Sequence, residues 1–134
     1  MQIGLVGAYA GSPPSLAGMT DIFPVIRYRD AHAGIDFLVN AFGFEKHAVY
    51  EDDGVVQHAE LRYGDGIVMV GQREQVHPAT VYIAVDDPDV HYERAKAAGA
   101  TIERELTDQD YGSREYSAKD PGGHQWSFGT YRPG

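Results

Sequence analysis

The spacing of apolar and polar positions changes period several times along the chain, and each change marks an element. Ile22 to Tyr28 is a β-like run, and Asp30 stands where a helix N-cap belongs. From Ala31 to Phe42 the apolar positions Ile35, Leu38, Val39 and Phe42 recur at helical spacing, and Gly43 is a stop suited to a left-handed cap. Three strands are predicted next, over Phe44 to Tyr50, Val55 to Tyr63 and Ile67 to Val70. Asp52–Asp53–Gly54 and Gly64–Asp65–Gly66 separate them as hairpin turns.

The same order then begins again. Val81 to Val85 is a strand, Asp86–Asp87–Pro88 opens a helix with Pro88 suited to its first turn, and Gly99 closes it. Thr101 to Leu106, Arg114 to Ala118 and Gln125 to Gly129 are three further strands, with Asp120–Pro121–Gly122–Gly123 as the last turn. Adding 56 to Val25, Asp30 and Gly43 gives Val81, Asp86 and Gly99, so the spacing predicts two helices of one length. The fold class is α+β: two βαβββ modules, 21–73 and 79–131, in a single domain over 21–134 behind an arm at 1–20. A lone βαβββ unit leaves an apolar sheet face uncovered, and two units forming one cupped mixed sheet remedy that. Within the arm, Ile3 to Val6 is a short apolar segment and Gly11–Ser12–Pro13–Pro14–Ser15 a hinge. The arm either pairs with a neighbouring subunit's sheet edge or frays.

Composition narrows the function classes. The chain has 134 residues and 43% hydrophobic content, which suits one globular domain. There are no cysteines, which excludes disulfides, thiolate metal sites and a Cys nucleophile. The formal net charge of −9 opposes nucleic-acid binding. No run approaches the ~20 apolar residues that span a bilayer. Met1 to Gly18 lacks the basic start of a signal peptide, so a cytoplasmic protein is expected.

Several short stretches carry a resemblance. They are Ile26–Arg27–Tyr28–Arg29–Asp30 running into Ile35–Asp36–Phe37, then Phe42–Gly43–Phe44 and His58–Ala59–Glu60–Leu61–Arg62. Val85–Asp86, Ala98–Gly99–Ala100 and Asp120–Pro121–Gly122–Gly123–His124 complete the set. In order and spacing the chain resembles the vicinal oxygen chelate superfamily of glyoxalases, bleomycin-resistance proteins and extradiol dioxygenases. The resemblance implies a cupped pocket in which four strands each offer a side chain to one divalent metal. The first-strand His position of glyoxalase I falls on Phe23, its carboxylate on Glu60, the second-module His on Thr80 and the terminal-strand Glu on Ser127. Three of the four ligands are replaced, so the resemblance implies the pocket without its usual metal chemistry.

Strand alternation assigns faces. If Glu60 faces the pocket, so do His58 and Arg62, while Ala59, Leu61 and Tyr63 pack on the other side. By the same parity Phe23, Val25, Arg27, Thr80, Tyr82, Gln125 and Ser127 line the cup. This mixed aromatic and polar lining suits a flat organic molecule. Trp126 and Phe128 take the core side, and His124 a structural turn position. Arg114 and Tyr116 precede the Asp120–Pro121 turn, at the cup rim in the family, and are candidate ligand contacts. His32, His47, His77 and His91 scatter over helix and loop positions without metal spacing. There is no Gly-rich phosphate loop, nucleophile elbow or basic aromatic patch.

The leading expectation is therefore a small-molecule binding protein of the bleomycin-resistance type, with no cofactor, its cup completed in a homodimer. It would sequester an organic compound, for which the acidic composition favours a cation. No nucleic-acid or membrane partner is expected. The alternative is a metal-dependent lyase, isomerase or dioxygenase using Glu60, His58 and a further ligand. A third reading is a scaffold whose cup is filled by its own Phe23 and Arg27.

Overall fold

Each predicted element forms where its capping and turn residues allow. A computed structural model describes residues 4–6 and 21–134; the hinge at Gly11 to Ser15 lies outside the described residues. The first module is β2 (Val25–Tyr28), α1 (Ala31–Phe42), β3 (Glu45–Asp52), β4 (Val55–Tyr63) and β5 (Gly66–Gln72), preceded by β1 (Gly4–Val6). The second is β6 (Thr80–Ala84), α2 (Pro88–Ala97), β7 (Thr101–Asp108), β8 (Arg114–Lys119) and β9 (Gln125–Gly129). The side chain of Asp30 accepts the Ala33 N–H at 3.1 Å and starts α1, which ends on Gly43 with a φ of 83°. Asp53 and Gly54, with φ of 53° and 75°, form the two-residue turn between β3 and β4, whose primed geometry matches the strand twist.

The two helices differ in length, which corrects the equal spans expected from the repeat. α1 has 12 residues and α2 has 10. Pro88 has no N–H and a fixed φ, so it occupies the first helical position and makes Asp87, not Asp86, the cap. Asp87 accepts the Val90 N–H at 3.1 Å. At the far end Ala98 already leaves the helix, and Gly99 takes the left-handed turn with a φ of 91°.

Hydrogen bonding divides the strands into two sheets, ordered β1-β3-β4-β5-β2 and β6-β9-β8-β7. In both, the first strand of the module pairs in parallel with its last, β2 with β5 and β6 with β9. β1 adds to the chain's own β3 in antiparallel register. The sheets are joined by a common core. The Phe42 ring lies 5.7 Å from that of Trp126 and 4.7 Å from that of Phe128, and Phe44 meets Trp126 at 5.7 Å. All four rings are buried. Burying each such side chain contributes about 1.5–3 kcal/mol, which makes this junction a main stabiliser of the pair.

A polar staple fixes the modules' relative register. Asp120 accepts the Tyr28 hydroxyl at 2.5 Å and Trp126 Nε1 at 2.9 Å on one oxygen. Its other oxygen takes the backbone N–H groups of Gly122 and His124. His124 Nδ1 accepts the Ala79 N–H, so its Nε2 carries the hydrogen and donates to the Arg27 carbonyl at 2.6 Å. The turn of the second module thereby holds the backbone of β2, from which Arg27 projects to the opposite face.

Candidate ligand-binding site

The core takes one face of each sheet, and alternation leaves the other open. On β4, Ala59 and Leu61 are buried, while His58, Glu60 and Arg62 point to the open face. Register extends this wall across four strands: Val25 lies opposite Met69, Met69 opposite Glu60, and Glu60 opposite Ala48. Arg27 lies opposite Gly71, and Tyr50 opposite His58. Phe23 and Val25 keep 41% and 45% of their surface exposed, high values for apolar side chains beside a sheet.

Glu60 is the centre of a chain of polar contacts. His58 Nε2 donates to its Oε2 at 2.9 Å, and His47 Nε2 stands 3.9 Å from its Oε1. Arg62 donates to His47 Nδ1 at 3.2 Å. His47 thus sits on strand β3 beside Glu60, where the strand expected over Phe44 to Tyr50 places it, and not among the helix and loop histidines. A register shift between Lys46 and Ala48 carries it there. Counting back across the Asp53–Gly54 turn was the signal that would have found it.

In the second sheet Thr80 pairs with Gln125 and Tyr82 with Ser127, all on the face opposite the buried Trp126 and Phe128. Tyr116 and Arg114 do not join them. Tyr116 lies opposite Phe128, on the core face, and is 0% exposed. Its hydroxyl donates to His91 Nδ1 at 2.5 Å, and burial pushes its ionisation upward. Arg114 is engaged elsewhere, with Asp89 at 2.7 Å and Asp108 at 3.1 Å. The open face of β8 carries instead Glu115 and Ser117, opposite Gly129 and Ser127.

Sequence reasoning missed Glu115 and two tyrosines beside it. Glu115 is buried, and its Oε1 accepts Tyr111 Oη at 2.9 Å and Arg104 Nη2 at 3.1 Å. Gly129 makes room for it, since a Cβ there would lie 2.4 Å from Glu115 Cγ. Tyr82 donates to the Tyr131 carbonyl at 2.7 Å, and the rings of Tyr111 and Tyr131 meet edge to face at 6.2 Å. Burial pushes the Tyr82 hydroxyl's ionisation up, so it is a neutral donor at neutral pH. A groove of about 440 Å³ reaches Tyr82 from between the modules, walled by Pro24 and Ile67 on one side and Val81 and Ile83 on the other.

The donor set does not fit a metal. Of the four positions implied by the family's ligands, only Glu60 is a strong donor, and Phe23 has no lone pair to offer. Among the described residues, no three His, Cys, Asp or Glu side chains are arranged to hold an ion. His47 comes nearest to completing a set, but its Nδ1 receives the Arg62 N–H, which leaves its Nε2 carrying hydrogen.

Paired βαβββ modules with an open polar wall define the class of protein. The chain belongs to the Glyoxalase/Bleomycin resistance protein/Dioxygenase superfamily, whose family model matches residues 22–128. An uncharacterised protein of Mycobacterium tuberculosis is 36% identical over 143 aligned residues, covering 96% of this chain and 84% of that protein. The crystal structure of TioX from Micromonospora sp. ML1 is similar at a TM-score of 0.76 and 32% identity, covering 84% of this chain and 100% of that one. The bleomycin-binding protein of Streptomyces verticillus, solved with copper(II)-bleomycin, is similar at a TM-score of 0.63 and 26% identity, covering 82% and 94%. No helix among the described residues is long and apolar enough to cross a membrane.

Proposed function

We propose that the protein binds a flat organic molecule against the open faces of its sheets, without a metal, and sequesters it. The reading is carried by the ligand set that the resemblance implies: Phe23, Thr80 and Ser127 fall at three of the four positions it assigns to metal-binding side chains. Neutral hydroxyls are poor ligands for a divalent ion, and a phenyl ring is none. The aromatic residues around them are suited to holding an arene: exposed Phe23, and Tyr82, which pairs with Ser127 and has the Tyr131 and Tyr111 rings next in line. Similarity to a protein that binds bleomycin supports the same reading.

The protein works as a homodimer in this reading. Among the described residues, β2 and β6 each end a sheet, and exposed Phe23 and Val25 stand at the start of the first of these. Such edges favour pairing with another chain. Light scattering is expected to give twice the chain mass, and a monomer would count against this arrangement.

The test of binding is a fluorescence titration of EDTA-dialysed protein with N-phenyl-1-naphthylamine, an uncharged fused arene. Saturable one-site binding is the expected result. Binding that disappears on dialysis and returns with zinc, iron, nickel or manganese would overturn the reading. One observation favours the alternative, a metal-dependent lyase, isomerase or dioxygenase: His47 joins His58 beside Glu60. Stoichiometric metal in the purified protein, by elemental analysis, would support that alternative.

A further inference from the structure

We propose that the first sheet's open wall recognises an anionic group on the ligand, a carboxylate, sulfonate or phenolate, through Arg27. This rests on the binding function proposed above and specifies the chemistry of its ligand. It also reverses the charge that composition suggests, since the chain carries −9 overall.

The argument begins with where the guanidinium lies. Arg27 projects from β2 onto the open face and crosses the neighbouring strand at Gly71, its register partner. A Cβ at position 71 would lie 2.8 Å from Arg27 Nη1, so the absence of a side chain there creates the notch that holds the guanidinium. The backbone below is held as well. The Arg27 carbonyl accepts the His124 Nε2–H, and the β2–β5 ladder fixes the strand on the other side. Arg27 is half-buried, and no described residue gives its guanidinium a hydrogen bond or an ion pair.

Glu60, the carboxylate of this wall, forms no ion pair with Arg27 and stands opposite Met69, not Gly71. Glu60 already receives His58 on one oxygen and faces His47 on the other. A half-buried, positioned cation without a counter-ion matches the planar fork with which Arg binds oxyanions in two parallel hydrogen bonds. Long-range repulsion from the acidic surface does not prevent this. Exposed charges more than ~8 Å apart are largely screened at physiological salt, so the contact at Arg27 decides. Val25 and Phe23, on the same edge, offer apolar surface for the body of the ligand.

Three naphthalene-sized probes separate charge from hydrophobic fit. They are 1-anilinonaphthalene-8-sulfonate, its uncharged parent N-phenyl-1-naphthylamine, and the cationic arene thioflavin T. The sulfonate is expected to bind at least about 5-fold tighter than the neutral parent, and thioflavin T most weakly. Arg27→Met should weaken sulfonate binding by about 10-fold or more, the range for a hydrogen bond to a charged group, and leave the neutral parent within about 2-fold. Arg27→Lys should recover part of the loss, since it keeps the charge without the fork. Gly71→Ala should weaken the sulfonate by displacing the guanidinium from its notch. Equal binding of sulfonate and parent, with Arg27→Met leaving both unchanged, overturns the inference and leaves the proposed binding function standing. A preference for thioflavin T overturns it too. Failure of both naphthalenes to bind removes the binding function and this inference with it.

Discussion

The Tyr28 hydroxyl donates to the Asp120 carboxylate at 2.5 Å, across 92 positions of sequence, and so ties the first strand of one module to the last turn of the other. Both groups are buried, and Trp126 Nε1 shares the same carboxylate oxygen. Burial and the Asp120 charge together drive the Tyr28 ionisation far upward, so the phenol remains a donor throughout the stable range. Tyr28→Phe removes one donor and leaves Asp120 with three others. The expected loss is about 1–3 kcal/mol, read from urea unfolding. Asp120→Ala strands the Tyr28 and Trp126 donors together and should cost more. Equal stability of Tyr28→Phe and the parent would refute the tie.

His91 sets a pH dependence. Burial lowers its ionisation below the ordinary 6.5, while its Nε2–H donates to the Phe42 carbonyl at 2.8 Å and its Nδ1 accepts from Tyr116. The unfolded chain takes up this proton at a higher pH than the folded one. The contribution of His91 is therefore complete above about pH 6.5 and declines as the pH falls below it. Urea midpoints are expected to drop between about pH 7.5 and pH 5.5. His91→Gln should be less stable than the parent at the higher pH and lose less on acidification; an unchanged pH slope would refute the assignment.

Gly34 lies in α1 against the Tyr28 ring, and a Cβ there would sit 2.6 Å from Tyr28 Cγ. In an exposed helix Gly→Ala stabilises by about 1 kcal/mol. Here the clash with a fully packed ring outweighs that gain, because overpacking a core costs about 1–3 kcal/mol. Gly34→Ala should lower the thermal midpoint, and a raised midpoint would show that Tyr28 can yield.

Tyr82 supplies arene surface to the second wall. Its removal as Tyr82→Ala should weaken N-phenyl-1-naphthylamine binding by about 3–10-fold, in keeping with the ~0.5–1.5 kcal/mol of an aromatic pair. Tyr116→Phe lies on the core side and should leave that affinity unchanged while lowering stability. The reverse outcome in a titration of the two variants would reassign the faces of β6 and β8.

The elements were legible because their signals are local. Val55–Tyr63 and Gln125–Gly129 start and stop where turn residues dictate, and Ala31–Phe42 lies between an Asp cap and a Gly stop. The face of β4 was legible for the same reason, since alternation from Ala59 and Leu61 is unbroken through Tyr63. On β8 the outcome differs: Arg114 and Tyr116 are candidate ligand contacts in the sequence, and only pairing with β9 reveals that Tyr116 shares a face with Phe128 while Glu115 takes the open side.

The sequence by itself determined two βαβββ modules, most of their turns and the family. Those depend on each residue's own conformational preferences and on the period of its neighbours. Tertiary structure alone decided that Gly129 admits a buried Glu115 and that Gly71 cradles Arg27. Each of these depends on strand register and bulges, where a shift of one residue moves a side chain to the opposite face. The energy that selects the register comes from the shared core and the Tyr28–Asp120 tie, between residues far apart in the chain.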